Sequence, residues 1–158
     1  MEHKKASFAA GCFWGVEARF REIKGVVDAA VGYMGGVVEH PEYRQVCSGS
    51  TGHAEAVQLI FDEQQLSYRE LLDVFFSMHN PTTANRQGPD VGSQYRSVIF
   101  WHDEDQRTEA EKKVTEVNAS DTWNNPVVTE VAKAGQFWRA EEYHQRYFEK
   151  NGTGYCHI

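Results

Sequence analysis

The chain has 158 residues, 41% apolar and 25% charged, a balance that fits one globular domain and argues against disorder. A domain of this length buries roughly 68–70% of its unfolded surface, so it needs neither a disulfide staple nor a structural metal to hold its fold. Its net charge of −7 speaks against a nucleic-acid surface, which would want clustered Lys and Arg.

The opening Met1-Glu2-His3-Lys4-Lys5 has no apolar run long enough for a signal peptide, and no later stretch approaches membrane-spanning length. A cytoplasmic location is expected, where thiols are kept reduced and a disulfide is more often transient and catalytic than structural. In chain order, Ser7 to Ala10 reads as a strand ending at Gly11. A helix follows from Phe13, with Val16, Phe20 and Ile23 on one face and the pair Glu17 and Arg21 on the opposite one. Gly25 ends it, and Val26 to Tyr33 is a second strand. Residues 34–53, rich in Gly, Pro and Ser, form a candidate functional loop. Ala54 to Phe61 is a third strand. Ser67 and Glu70 make a capping box that opens a helix over Tyr68 to Met78. A second loop covers 80–94, and Ser97 to Trp101 is a further strand. The segment 104–118 is a charged helix, Val127 to Val131 an edge strand and Ala140 to Glu149 a last helix, before a Gly-rich tail from about residue 150. No repeat or linker divides the chain, so 1–158 reads as a single catalytic domain.

The first six elements run strand–helix–strand–strand–helix–strand, the order of the ferredoxin-like, split β-α-β unit. The expected fold class is therefore α+β, a two-layer plait with a mixed, mostly antiparallel sheet.

Three cysteines cannot all pair within the molecule, and Cys12, Cys47 and Cys156 include no Cys-x-x-Cys. The seven histidines show no zinc-type grouping beside them, so neither a metal nor another cofactor is expected. Cys12 stands in Gly11-Cys12-Phe13-Trp14-Gly15, at a strand-to-helix junction. The positive end of a helix dipole favours its thiolate, and the flanking glycines leave the sulfur open. Phe13 and Trp14 can line a small apolar pocket or simply pack in the core. Glu55 shares strand parity with Val57, Leu59 and Phe61, and a carboxyl desolvated on an apolar face has a raised pKa and can act as a general acid. The alternative is a strand-end residue still in water. Tyr43 and Tyr95 lie at loop ends and present phenolic hydroxyls; Asp90, in Gly88-Pro89-Asp90-Val91-Gly92, can bind a ligand or make a turn. Cys156 follows Gly152-Thr153-Gly154 near the C-terminus, where a second thiol can reach a first. Cys47 reads as a bystander, and His53, His79 and His157 as solvated.

Together these residues resemble the A-type methionine sulfoxide reductases, the peptide-methionine (S)-S-oxide reductases. The resemblance runs through Gly11-Cys12-Phe13-Trp14-Gly15, Val31-Gly32-Tyr33 with Gly35-Gly36, Tyr43-Arg44 with Val46-Cys47-Ser48-Gly49, and Thr51-Gly52-His53-Ala54-Glu55-Ala56-Val57. It continues in Pro81-Thr82-Thr83 with Asn85-Arg86-Gln87-Gly88, and in Asp90-Val91-Gly92-Ser93-Gln94-Tyr95-Arg96-Ser97. It implies Cys12 as nucleophile, Phe13 and Trp14 around the substrate S-methyl group, and Glu55 as proton donor to the sulfoxide oxygen, assisted by Tyr43 and Tyr95. Asp90 would belong to the surrounding polar network. It also implies a Cys12 sulfenic acid resolved by Cys156, with thioredoxin as reductant of the disulfide. Two features depart from the family pattern: the tail carries only Cys156 where many relatives have two cysteines, and Met34 stands where small residues are common. A papain-like hydrolase fits less well, since Phe13 separates Cys12 from Trp14. A peptide-binding module would leave Cys12, Glu55 and Cys156 without a role.

Overall fold

The computed structural model describes residues 3–151. In chain order these form β1 (His3–Ala10), α1 (Phe13–Arg21), β2 (Val26–Met34), α2 (Tyr43–Cys47), β3 (Ala54–Asp62) and α3 (Tyr68–Ser77). There follow a short hairpin of β4 (Arg86–Gln87) and β5 (Asp90–Val91), a 3-10 turn at Ser93–Tyr95, β6 (Ser97–Trp101) and α4 (Glu104–Ala119). The chain continues with β7 (Glu130–Lys133), β8 (Trp138–Arg139), a 3-10 turn at Glu142–His144 and α5 (Tyr147–Asn151). The fold is α+β, with a mixed six-stranded sheet in the order β7-β6-β1-β3-β2-β8. Every pairing is antiparallel except β6 with β7, which α4 joins as a parallel crossover.

The period-2 pattern of the strands divides the sheet cleanly. Phe8, Val31, Val57, Leu59, Phe61 and Ile99 face the layer of Val16 and Phe20 from α1 and Leu71, Leu72 and Phe75 from α3. The alternate positions Ala9, Met34, Ala54, Ala56, Val98 and Phe100 face the other side, where Ala132, Ala134 and Phe137 cover them. Each fully buried large apolar side chain contributes about 1.5–3 kcal/mol, so the first layer dominates stability. α3 begins as its sequence requires: Ser67 Oγ accepts from the Glu70 N–H at 3.1 Å, and Glu70 Oε1 accepts from the Ser67 N–H at 3.2 Å.

Several expectations are corrected. The long loops are not bare: 34–53 contains α2, and 80–94 contains the β4–β5 hairpin and a 3-10 turn. The edge strand starts at Glu130 rather than Val127. Val127 N–H bonds to Asn118 Oδ1 at 2.7 Å and Val128 N–H to the Pro81 carbonyl at 2.8 Å, so neither donor is left for the sheet. The helix expected over Ala140 to Glu149 is replaced by a 3-10 turn and the five-residue α5, separated at Arg146 with φ +53°. Residues 138–151 thus form a strap laid along β2 and α1. Glu17 and Arg21 do pair, at 3.0 Å, but Glu17 is 1% exposed because that strap covers it. Among the described residues no helix is long and apolar enough to cross a membrane.

Candidate active site

The site begins where β1 ends. Gly11 turns the chain at φ +96°, a conformation side chains with a Cβ resist, and Cys12 becomes the N-cap of α1. Its carbonyl accepts from the Val16 N–H at 3.4 Å, and the residue is half-buried. The first N–H groups of a helix lack intrahelical partners. Here the Phe13 N–H, next to Cys12, donates to Glu55 Oε1 at 3.2 Å. Glu55 comes from β3, directly opposite Tyr33 on β2, and is 1% exposed, on the apolar side that its parity gives. Burial pushes its carboxyl up to about 8, against the lowering effect of the Phe13 N–H and with a smaller upward push from Asp90. Glu55 is therefore mostly protonated at pH 7. Its Oε2 has no hydrogen-bond partner among the described residues, so a proton there is uncommitted.

Three other side chains named from the sequence surround this carboxyl. Tyr43, the first residue of α2, is half-buried, and its ring lies 6.4 Å from that of Phe13. Tyr95 is held in the 3-10 turn, and Asp90 in the hairpin. Burial first, then the Glu55 charge, pushes both phenols above the ordinary tyrosine range, keeping them hydrogen-bond donors. The mounting of Tyr95 and Asp90 is polar. Gln87, buried, accepts from the Asn80 N–H at 2.9 Å and donates to the Asn80 carbonyl at 2.6 Å. Arg96 donates to the Ser93 and Gly52 carbonyls, both at 2.9 Å, tying the Tyr95 turn to the chain entering β3.

Phe13 and Trp14 have different surroundings. Phe13 is buried, its ring within 5.8 Å of Tyr33 and 5.2 Å of His144, whereas Trp14 is half-buried and stacks on Tyr147 at 3.8 Å. Cys47 is exposed. The Tyr43 hydroxyl donates to its sulfur, and burial of the thiol group pushes its pKa up. Cys156 and His157 lie outside the described residues. His53 and His79, expected in water, are buried. His53 Nδ1 accepts from the Gly36 N–H at 3.0 Å, and its other nitrogen donates to the Val38 carbonyl at 2.7 Å. Gly36 is obligatory there, since a Cβ would come within 2.4 Å of the Thr51 carbonyl. His79 spans the Phe75 carbonyl and Ser97 Oγ.

The strap supplies residues that the sequence reading missed. Glu141 accepts from the Tyr33 hydroxyl at 2.8 Å and, through its other oxygen, from the Tyr43 N–H at 3.0 Å. His144, 1% exposed, accepts the Trp14 indole N–H at Nδ1 at 3.0 Å, and its Nε2 has no partner among the described residues. The ring lies 4.3 Å from that of Tyr43. The one signal available was the lack of an apolar period across Glu141-Glu142-Tyr143-His144-Gln145.

A thiol at a helix start beside a buried carboxyl that is neutral at pH 7, mounted on this α+β frame, is the arrangement of a thiol-dependent oxidoreductase. Residues 4–158 match the family model described as peptide methionine sulfoxide reductase. The chain belongs to that family and is a methionine sulfoxide reductase enzyme of the MsrA type. It is 57% identical over 153 residues to the peptide methionine sulfoxide reductase MsrA of Methanoculleus marisnigri, covering 97% of this chain and 93% of that one. The fold is similar to the crystal structure of Mxr1 from Saccharomyces cerevisiae in reduced form, with TM-score 0.92, 39% identity, and 98% of this chain and 89% of that one covered. Mxr1 in complex with Trx2 is similar at TM-score 0.66 and 29% identity, covering 92% of this chain and 85% of that one.

Proposed function

We propose that this enzyme reduces the S epimer of methionine sulfoxide, free or within proteins, with Cys12 as nucleophile, Glu55 as general acid and Cys156 as resolving thiol. The observation that carries the reading is the Glu55 carboxyl, protonated by burial and bonded to the backbone next to Cys12. The Cys12 thiolate attacks the sulfoxide sulfur while Glu55 gives its proton to the oxygen, turning a poor leaving oxide into a better one. Tyr95 donates a hydrogen bond to that oxygen, Tyr43 does so by turning its hydroxyl away from Cys47 Sγ, and Asp90 keeps the polar network around it. Trp14 and Phe13 provide the apolar surface for the S-methyl group. The hydroxyl then passes from the methionine sulfur to Cys12 Sγ as the new bond between the two sulfurs breaks; the methionine sulfur keeps an electron pair and leaves as the thioether, and Cys12 is left as a sulfenic acid. Cys156 condenses with it, forming the Cys12–Cys156 disulfide and releasing water.

The disulfide is then reduced by the two thiols of thioredoxin, which leave oxidised. The yeast relative crystallised with Trx2 supports this partner. The strand order β6-β1-β3-β2 with α1 and α3 on one face supports reading the frame as a ferredoxin-like plait. The proposal takes 1–158 as one catalytic domain working in the cytoplasm, where thiols are kept reduced. The test is chiral chromatography of a racemic methionine sulfoxide after exhaustive reaction with dithiothreitol. The R form should remain. Equal consumption of both epimers contradicts the placement of Cys12, Glu55 and Trp14 around one sulfur.

A further inference from the structure

His144 is a buried titratable side chain to which the mechanism above gives no task. It lies in the 3-10 turn of the strap, 1% exposed, among three rings of the site: the centroids of Tyr43, Phe13 and Trp14 stand 4.3, 5.2 and 5.7 Å from its own. The turn that carries it is fixed on both sides. Glu141 accepts from the Tyr33 hydroxyl and the Tyr43 N–H. The Gln145 side chain accepts from the Val31 N–H and donates to the Val31 and Ala140 carbonyls, each at 2.9 Å.

The indole N–H of Trp14 can only donate, so the His144 Nδ1 that receives it at 3.0 Å carries no proton. Burial pushes the imidazole pKa down, against the upward pull of Glu141, and keeps the ring neutral at pH 7. Its N–H is therefore at Nε2, and that donor is buried with no partner among the described residues. An unmet buried donor costs stability, so packing does not explain a histidine here. What this side chain adds is the acceptor at Nδ1.

Two restraints act on the Trp14 indole, and they oppose different motions. Tyr147 stacks on it at 3.8 Å with the planes 10° apart, which fixes the tilt of the ring. Stacked planes can still slide and turn over one another, since offset arrangements are close in energy. The bond from Nε1, at the edge of the indole, stops that second motion.

We infer that His144 is a positioning residue that sets specificity: by holding the Trp14 indole at Nε1 it fixes the wall against which the S-methyl group packs, and so the size of alkyl group the site accepts. This rests on the proposed role of Trp14. The kcat/KM for a sulfoxide covers only the steps up to release of the thioether, so the later chemistry of Cys156 does not enter it.

The test crosses two variants of the full-length chain. His144→Phe keeps a ring and loses the acceptor. His144→Asn loses the ring and keeps an acceptor, its Oδ1, at the place along the side chain that Nδ1 holds. Each is assayed with dithiothreitol on the S epimers of methionine sulfoxide and ethionine sulfoxide, which differ by one methylene beside the sulfur. One methylene in an apolar pocket is worth roughly 10–200-fold in kcat/KM, and the parent should prefer the methyl compound accordingly. His144→Phe should bring that ratio down about tenfold, while His144→Asn keeps it within about threefold. The Trp14 indole N–H, identified among the four indole resonances by its loss in Trp14→Phe, should exchange with water about tenfold faster in His144→Phe but not in His144→Asn. A role in packing alone predicts the reverse order of the two variants. A parental ratio in His144→Phe, or a ratio lost equally in both, overturns the inference; if one variant does not fold, the other decides by the same criterion. Trp14→Ala separates this failure from failure of the Trp14 assignment. A parental ratio there means that Trp14 is not the methyl wall and the inference falls with it, whereas a ratio lost there and kept in His144→Phe overturns the inference alone.

Discussion

The centre of the molecule and its C-terminal strap are built by different means. At the centre, Cys12 and Glu55 are mounted on β1, α1 and β3, whose backbones are locked in ladders and whose apolar faces interlock around Phe8, Phe20 and Phe75. The strap has only short elements, the two residues of β8, one 3-10 turn and the five-residue α5. It is wired to the centre by single side-chain hooks: Glu141 to Tyr33 and Tyr43, Gln145 to Val31, His144 to Trp14, and Glu17 to Arg146. Packing spreads a perturbation over many contacts, while a hook concentrates it in one. Substitutions at the centre should therefore act on the chemistry or on the whole fold, and substitutions of hooks on local order.

The largest effect falls on the centre. Cys12→Ser should abolish turnover, since no alkoxide is available at neutral pH and no other group holds the oxidised state; an assay with dithiothreitol and racemic sulfoxide checks this. Glu55→Gln should fold and bind but lose on the order of 10²–10⁴-fold in the single-turnover rate. Next come two substitutions that set packing against hooks. Phe8→Ala should cost about 3–5 kcal/mol in urea unfolding while the folded fraction keeps its specific activity. Gln145→Ala strands the buried Val31 N–H and should cost only about 1–3 kcal/mol, yet depress specific activity because Glu141 and His144 lose their seat. Equal specific activities in these two variants would erase the distinction between the regions.

The last expected effect is on the pH dependence of stability. Glu55 has a folded pKa raised to about 8 by burial, above its unfolded value of 4.5, so the folded protein holds a proton that the unfolded chain releases. Its contribution falls as pH rises from 4.5 to 8 and stays low above that window. Glu55→Gln cannot ionise, and its melting temperature should exceed the parent's at pH 8 by more than at pH 5, measured by circular dichroism.

The same division decides what the sequence reveals. Glu55 was legible because a strand has a period of two, and Val57, Leu59 and Phe61 declare which side is buried. Cys12 was legible because Gly11 and the change of period mark the helix start. The capping box at Ser67 and Glu70 is local, and so readable. The burial of Glu17 was not legible, because the residue that covers it lies 129 positions away, although its pairing with Arg21 was. His53 and His79 were misread for the same reason, their partners being backbone carbonyls, a backbone N–H and a hydroxyl that no local pattern predicts. α2 is too short to show a period, although Glu42 and Gln45 form its capping box.

The most direct test of the central claim is the pH dependence of methionine release in a single turnover of the parent and of Glu55→Gln. If Glu55 is the proton donor, the parent rate has a falling limb centred near pH 8, where the carboxyl loses its proton, and the glutamine variant is slow with no such limb. A parent rate that holds level through pH 9, or a glutamine variant that keeps the same falling limb, would show that the proton comes from elsewhere.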